Sequence, residues 1–394
     1  MDKHEGEYQF RDLSILHNVP WYSGSTRVFD TWGTGSTPVG TAKLIKGRTN
    51  MSLATKYRPK TFDDVCEQTS IKVILEQQIK SGEFQHAYLF CGGAGTGKTT
   101  LARIFANGIN KGKGNPIEMD SASHNSVDDI RDIKQQATVQ SLDSEYRIFI
   151  LDEVHALSSN AWQALLKILE EPPKKSVFIM CTTNPEKIPR TILSRVQRFD
   201  FKRISFTGVK NRLQYICESE NKEKGNTDIT YTPTALDYIS KIADGGMRDA
   251  ITLLDKCLAY SHTLTEDNII IALGTVSYEA FFSLSDAIHN KRAGEAISII
   301  ECVHREGKDL KQFIKDYVSF LLDINKYDIL RTFDYLQLPT EFATPLARYN
   351  QEWFDTNRRL LPKFVKLNAD LKWDTQVKVT VEAKVLEVIY AESV

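Results

Sequence analysis

The chain has 394 residues, of which 26% are charged and 41% hydrophobic, and its formal net charge is -1. This near-neutral balance argues against a protein that coats nucleic acid by bulk charge, so a phosphate-binding surface must be local. The sequence contains no run of the roughly 18 apolar residues that a membrane span needs, and its start lacks the apolar core of a signal peptide. We therefore expect a cytoplasmic protein of two or three domains without membrane contact.

The N-terminal residues 1–51 differ in composition from the rest of the chain. They combine Trp21 and Trp32 with many glycines, serines and threonines. Turn signals without clear periodicity predict a flexible extension, and a small β-rich appendage is the alternative. The sequence assigns this extension no function.

Residues 52–205 alternate short apolar runs with helical patterns, which is typical of an α/β domain with a mainly parallel sheet. Helices are predicted from Ser126 onward and from Ser159, the predicted N-cap of a helix that ends at two prolines. The three predicted strands are apolar on both faces, as buried parallel strands are. They are residues 86–91, 146–151 and 176–181.

The strand signals fade after residue 205. Helical patterns interrupted by Gly245 and Gly246 predict a helical domain over residues 206–274. Helical patterns then continue over residues 275–394, where a second helical domain is predicted. The fold class is therefore an α/β domain followed by two all-α domains.

The strongest motif is a glycine-rich loop that follows the first predicted strand and opens a helix. Its backbone amides are expected to cradle phosphate oxygens. Lys98 would bridge the β- and γ-phosphates, and the Thr99 hydroxyl would bind Mg²⁺. A glycine-rich turn without a ligand is the alternative. The predicted phosphate-binding residues are Gly92, Gly93, Ala94, Gly95, Thr96, Gly97, Lys98, Thr99 and Thr100.

A second motif lies about fifty residues later, where an apolar strand ends in Asp152 and Glu153. Asp152 is predicted to hold the magnesium and Glu153 to deprotonate the attacking water, the alternative being a surface acidic pair. His155 completes Asp-Glu-Val-His, which is also found in DExH helicases. That function needs a second α/β motor domain, which the helical C-terminal half does not supply, and His155 can equally be a structural histidine.

Six segments resemble, in order and spacing, the gamma/tau subunits of the bacterial DNA polymerase III clamp loader. They are KYRPKTFDDV, the glycine-rich loop, LDEVHALS, LLKILEEPP, CTTNPEKIPRTILSR and GGMRDA. The small subunits of replication factor C are more distant relatives. The resemblance covers about residues 52–270 and implies an AAA+ P-loop domain over 52–205, a helical lid over 206–274 and a helical collar for oligomerisation over 275–394.

The resemblance implies roles for further residues. Thr183 matches the position that reports on the γ-phosphate, and Arg248 matches a lid arginine that contacts the same nucleotide. Arg195 matches an arginine that acts in trans on the ATP of a neighbouring subunit. Arg58 and Val65 match positions near the base and ribose. For Arg195 and Arg248, the alternative is an ordinary charge on a helix surface.

DNA contact is also implied by the resemblance. Arg131 and Lys167 occupy positions from which basic side chains track duplex phosphates, which positions a protein without reading sequence. The alternative for each is an ordinary solvated charge. His124 and Ser126 stand where the family usually carries basic residues, so the backbone grip could be weaker or distributed differently.

Other departures concern the nucleotide site and the zinc module. Val196 replaces the cysteine that usually follows the trans-acting arginine, and Glu67 replaces a glycine beside the adenine loop. The four-cysteine zinc module of the family is missing, and the six scattered cysteines form no CxxC pair. We therefore expect no zinc. The chain resembles the short gamma form without the tau extension.

These implications favour an ATPase subunit of a sliding-clamp loader, with ATP and Mg²⁺ as cofactors. It would couple ATP binding and hydrolysis to loading of the clamp onto primer–template DNA during replication. The expected partners are other clamp-loader subunits in a homo- or hetero-oligomer, taken here as a pentamer, together with the clamp and the DNA. The alternatives are a nucleotide-binding scaffold subunit and another DNA-associated AAA+ machine, such as a branch-migration ATPase.

Overall fold

The computed structural model describes residues 51–391 apart from 140, 142, 225–227, 275–276, 334–335, 337 and 339–341. The predicted extension at residues 1–50 lies outside the described residues. Within the described ranges, no single helix is long and apolar enough to cross a membrane. Two consecutive helices, Glu266–Leu273 and Tyr278–His289, pass that test when they are taken together, on length and composition alone. The angle between them is 81°.

A five-stranded sheet, parallel throughout, forms the centre of the first domain. Its strands lie in the order β2-β3-β4-β1-β5. The three predicted strands are confirmed as β1, β3 and β4, while β2 and β5 were missed. Those two strands lie at the sheet edges and alternate between exposed and covered residues, so neither forms an apolar run. The strands are β1 Ala87–Cys91, β2 Ile117–Asp120, β3 Arg147–Asp152, β4 Ser176–Thr182 and β5 Gln197–Asp200.

Helices cover both faces of this sheet, as the apolar character of its central strands requires. One face packs against α2 and α3 through residues such as Phe90 and Phe105, and the other against α4 and α5 through Phe149 and Leu165. The helices of this domain are α1 Leu53–Lys56, α2 Thr69–Ser81, α3 Lys98–Ile109, α4 Val127–Thr138, α5 Ser159–Glu170 and α6 Arg190–Leu193.

The prediction that Ser159 is the N-cap of α5 was wrong. Ser158 is the N-cap, because its backbone is extended and its hydroxyl accepts a hydrogen bond from the N–H of Ala161 at 3.3 Å. Ser159 is the first helical residue. Two adjacent serines offer the same capping chemistry, so composition alone does not choose between them.

The second domain is helical and also contains a pair of two-residue parallel strands, β6 Thr230–Tyr231 and β7 Thr263–Leu264. Helix α1 packs into its core through the buried Leu53, although the chain places that helix before the sheet. The N–H of Leu53 donates to Asp255 at 3.2 Å, and Lys56 forms an ion pair with Glu220 at 2.5 Å. The helices are α7 Phe206–Lys224, α8 Pro233–Ile242, α9 Met247–Tyr260 and α10 Glu266–Leu273.

The third domain is a helical bundle with an aromatic core. Phe281, Tyr317 and Phe364 are buried together, with the ring of Tyr317 edge-on to that of Phe364 at 4.9 Å. Tyr278 also packs against the second domain, through an edge contact with Tyr238 at 6.2 Å. The helices are α11 Tyr278–His289, α12 Ala293–Arg305, α13 Leu310–Leu330, α14 Ala343–Leu346, α15 Gln351–Asp370 and α16 Val377–Ala391.

Candidate nucleotide site

The glycine-rich loop connects β1 to α3 at the edge of the sheet where the parallel strands end. Gly92 adopts φ +153°, and a Cβ there would lie 2.6 Å from the carbonyl oxygen of Phe201. Gly95 adopts φ +69° and approaches the second domain so closely that a Cβ would meet the Cα of Gly246 at 3.0 Å. A side chain at Gly92 would therefore overlap backbone, and at Gly95 the positive φ and the close backbone contact both favour glycine.

Lys98, the first residue of α3, is 6% exposed. Its Nζ donates to the carbonyl oxygens of Gly92 at 2.9 Å and Gly93 at 2.8 Å. The hydroxyl of Thr96 also donates to the carbonyl oxygen of Gly93, at 2.9 Å. The loop therefore folds around its own ammonium group, and the start of α3 adds the amide donors and positive dipole end that favour a phosphate.

Thr99 and Asp152 form the oxygen-donor pair of the site. The Thr99 hydroxyl donates to Asp152 Oδ2 at 2.8 Å, so the first turn of α3 and the end of β3 are joined directly. Hydroxyl and carboxylate oxygens are ligands that Mg²⁺ accepts, usually as a partial set completed by water and phosphate oxygens. The two residues therefore fit a magnesium ion bound together with a triphosphate.

Glu153 follows with a left-handed backbone, φ +47°. Its Oε2 accepts hydrogen bonds from the N–H of Thr183 at 3.1 Å and from the hydroxyl of Thr183 at 2.9 Å. His155 Nδ1 lies 3.1 Å from the same oxygen. Thr183, expected to report on the γ-phosphate, here contacts the predicted base, and the contact of His155 was not foreseen.

Twelve of the predicted residues line one cavity of about 340 Å³ between the first and second domains. Gly92 and Gly93 shape the loop from behind and do not line it, and neither does Thr183. The twelve are Arg58, Val65, Ala94, Gly95, Thr96, Gly97, Lys98, Thr99, Thr100, Asp152, Glu153 and Arg248.

The second domain closes one wall of this cavity. The N–H of Met247 donates to the carbonyl oxygen of Gly95 at 3.0 Å, so α9 begins on the phosphate loop, with the exposed Arg248 beside it. Arg212 on α7 also lines the cavity and donates to the carbonyl oxygen of Tyr57 at 2.9 Å. Sequence reasoning missed Arg212 because a charged residue on a helix surface carries no local signal.

Two cysteines lie on the strands beneath the loop. Cys181 on β4 is fully buried, and burial raises the pKa of its thiol well above the usual value. Burial also raises the pKa of Cys91 on β1 to about 11. Both side chains therefore remain uncharged thiols at neutral pH, and neither offers a base or nucleophile at this site.

Arg195 lies outside its own chain's cavity. It follows α6, is 37% exposed in its side chain, and pairs with Glu170 at 2.9 Å. Its guanidinium also donates to the carbonyl oxygen of Thr191 at 2.8 Å. The structure thus keeps this arginine away from the nearest phosphate loop and presents it on the surface.

The two predicted DNA-contact residues lie on the adjacent helices α4 and α5. Both Arg131 and Lys167 are exposed, and Arg131 pairs with Asp128 one turn earlier at 2.8 Å. Ser126, which stands where the resemblance led us to expect a basic residue, forms a capping box with Asp129 at the start of α4. A residue used in this way stabilises the helix start and provides no cation.

Glu67 occupies a left-handed backbone position, φ +55°. Its carboxylate accepts hydrogen bonds from the N–H of Ser205 at 3.1 and 3.2 Å and from the Ser205 hydroxyl, just before α7. Gln68 follows at φ +52° and its amide donates to the carbonyl oxygen of Lys202 at 2.7 Å. These two residues attach the segment beside Val65 to the connection between the first and second domains.

Comparison with known proteins finds relatives along most of the chain. The family profile of the DNA polymerase III delta subunit matches residues 109–205, and the profile of the DNA polymerase III clamp loader subunit ATPase lid domain matches residues 208–263. DNA polymerase III subunit tau of Bacillus subtilis is 38% identical over 294 residues, which are 69% of this chain and 51% of that relative. DNA polymerase III subunit gamma of Buchnera aphidicola is 35% identical over 261 residues, which are 61% of this chain and 69% of that relative.

The chain therefore spans about half the length of the tau subunit from Bacillus subtilis. Among solved structures, the RuvB Holliday junction branch migration motor of Thermotoga maritima is similar, with a TM-score of 0.47 and 19% sequence identity. That similarity covers 60% of this chain and 80% of the other.

Proposed function

Because the chain belongs to the DNA polymerase III gamma/tau subunit family, we propose that it is an ATPase subunit of a sliding-clamp loader. It binds ATP with Mg²⁺ and uses hydrolysis to load the clamp onto primer–template DNA. The observation that carries this proposal is the cavity that gathers a phosphate loop, an acidic pair and the lid arginine Arg248.

The chain's own residues have distinct roles at this cavity. The ammonium of Lys98 exchanges its loop carbonyls for β- and γ-phosphate oxygens, and Thr99 and Asp152 hold the magnesium. When bound there, magnesium supplies neutralisation of the charge that develops on the phosphates. Arg58 and Val65 contact the base and ribose, and the remaining loop residues give their amides to the phosphates.

Glu153 acts as the general base. Its Oε2 accepts two hydrogen bonds from Thr183, and no hydrogen bond reaches its Oε1 from any residue that the structure describes. One oxygen is therefore fixed while the other is available to accept a proton from the attacking water. Such an arrangement supports hydrolysis and disfavours a scaffold subunit that only binds nucleotide.

Assembly completes the site. Arg195 is exposed and lies outside its own cavity, which supports a role at the ATP of a neighbouring subunit. In this proposal, the AAA+ module comprises residues 52–205, the lid residues 206–274 and the collar residues 275–394 of each subunit in an oligomer, proposed to be a pentamer. The proposed mechanism uses no zinc. Arg131 and Lys167 contact DNA phosphates. ATP, the clamp and DNA each shift the complex between conformational states only by the difference in their affinity for those states.

The test is steady-state ATP hydrolysis by the assembled complex, alone and with the sliding clamp and primed DNA. We expect both to raise the rate, and Glu153→Gln to abolish hydrolysis while retaining ATP binding. A complex that hydrolyses ATP at a rate indifferent to clamp and DNA would contradict the loading function. ATP-dependent capture of the clamp separates a loader from a branch-migration motor, which should not bind it.

A further inference from the structure

Three polar groups converge on one carboxylate oxygen of Glu153, and one of them belongs to a residue to which the proposed mechanism gives no role. The N–H and hydroxyl of Thr183 lie 3.1 and 2.9 Å from Oε2, and His155 Nδ1 lies 3.1 Å from the same atom. We infer that His155 is a positioning residue that orients the carboxylate of Glu153 for proton abstraction. This inference rests on the proposed ATPase function.

The carboxylate selects the tautomer of the imidazole. A neutral histidine has one ring nitrogen that donates and one that accepts. If Nδ1 carried the lone pair, it would face a negatively charged oxygen at 3.1 Å and repel it. Protonation at Nδ1 instead gives a hydrogen bond to the Thr182 hydroxyl oxygen at 3.1 Å, and it turns the contact with Glu153 Oε2 at the same distance into an attractive one.

The ring of His155 is held in place by its surroundings. His155 lies in the short 3-10 turn Val154–Ala156, whose first residue is completely buried, and its side chain is only 18% exposed. Thr182 is the last residue of β4, and its hydroxyl oxygen accepts a hydrogen bond from the N–H of Asn184 at 3.0 Å. The turn that holds His155 follows β3, and Thr182 ends β4. Because these two strands are neighbours in the sheet, the sheet fixes both residues of the contact between His155 and Thr182.

The energetic consequence concerns the freedom of Glu153. A glutamate side chain has several rotatable bonds, and each conformer that points away from the cavity lowers the fraction of time in which a base is available. Thr183 donates two hydrogen bonds to Oε2 and His155 Nδ1 lies 3.1 Å from it, whereas Oε1 has no donor among the described residues. Small displacements of a reacting group cost up to about 100-fold in rate, which sets the scale for losing one of these contacts.

Three variants separate this role from simple space filling. In His155→Asn, the side-chain amide nitrogen falls close to the position of Nδ1, so an N–H group beside Glu153 and Thr182 is retained. In His155→Gln, the amide is one methylene further out, near the position of Nε2, although the side chain is of similar size and polarity. His155→Ala removes the donor and the ring together.

The experiment measures kcat and KM of ATP hydrolysis by the assembled complex with clamp and primed DNA, and the dissociation constant of a fluorescent ATP analogue. We expect His155→Ala to lower kcat by about 10- to 100-fold, with KM and nucleotide affinity within about 2-fold of the original chain. His155→Asn should recover most of the rate, and His155→Gln should recover little.

Two results would overturn the inference: unchanged kcat in His155→Ala, or equal rates in the Asn and Gln variants. Nucleotide affinity that falls in step with kcat would also overturn it, because a positioning role leaves binding intact. If His155→Ala fails to fold, the Asn and Gln pair still decides. Absence of hydrolysis in the original complex would refute the proposed function instead, before any His155 variant is compared.

Discussion

Arg195 and Glu170 are two halves of one ion pair, and the proposed role in trans predicts very different consequences for removing each. Both side chains are more than a third exposed, and exposed pairs of this kind contribute about 0.2–1 kcal/mol. Glu170→Gln should therefore change hydrolysis by less than about 5-fold, and it frees the guanidinium for a neighbour. Arg195→Ala should instead lower the rate by about 10³- to 10⁵-fold, the range for an arginine supplied in trans, or about 4–7 kcal/mol.

The assay is single-turnover hydrolysis of ATP by the assembled complex with clamp and primed DNA, accompanied by a measurement of ATP affinity. Affinity should remain near its original value in Arg195→Ala, since every residue that lines the cavity of each chain is unchanged. Where the complex contains several copies of this chain, mixing Arg195→Ala with Glu153→Gln subunits should restore part of the activity. The active interfaces combine the intact Glu153 of one variant with the intact Arg195 of the other. Equal, small effects of the two ion-pair variants would refute the trans role and leave a structural surface pair.

Two backbone positions give predictions on the free energy of unfolding, measured by urea denaturation. Gly92→Ala should cost about 2–5 kcal/mol, because its Cβ overlaps the carbonyl oxygen of Phe201 at 2.6 Å in addition to backbone strain. Gly82→Ala, at φ +71° with open space around it, should cost only about 1–2 kcal/mol; similar losses in both would mean that the overlap relaxes. Glu67→Ala should be less stable than Glu67→Gly by about 1–2 kcal/mol, because both lose the contacts to Ser205 and only alanine keeps the strain of φ +55°. An alanine variant at least as stable as the glycine variant would contradict the left-handed backbone.

The central features of the fold were predictable because their signals are local. Strands β1, β3 and β4 are continuous apolar runs, and the phosphate loop is specified by its own glycines and Lys98. The edge strands β2 and β5 were missed because they are short and half exposed, with hydrogen bonds on one side only. The capping serine was misplaced by one residue because Ser158 and Ser159 differ only in backbone conformation.

The site was predictable in its chemistry and less so in its contacts. The sequence indicates that Asp152 and Glu153 end a strand, but Thr183 meets Glu153 only through the register of neighbouring strands. His155, two residues after Glu153, contacts it because a 3-10 turn follows the strand. The contribution of Arg212 depends on how α7 lies against the cavity. The contacts of Thr183 and Arg212 join residues 30 or more positions apart, as Arg212 and Tyr57 do across 155 residues, and no local pattern encodes them.

The placement of α1 has a mechanical consequence. Leu53 and Lys56 pack on the second domain, and Arg58 follows shortly after them in the chain, whereas Lys98 and Asp152 belong to the sheet domain. In the proposed site, the base of a nucleotide therefore lies beside a segment anchored to the second domain, and its phosphates lie on the first. We expect that removal of one phosphate weakens the connection that the nucleotide makes between the two domains.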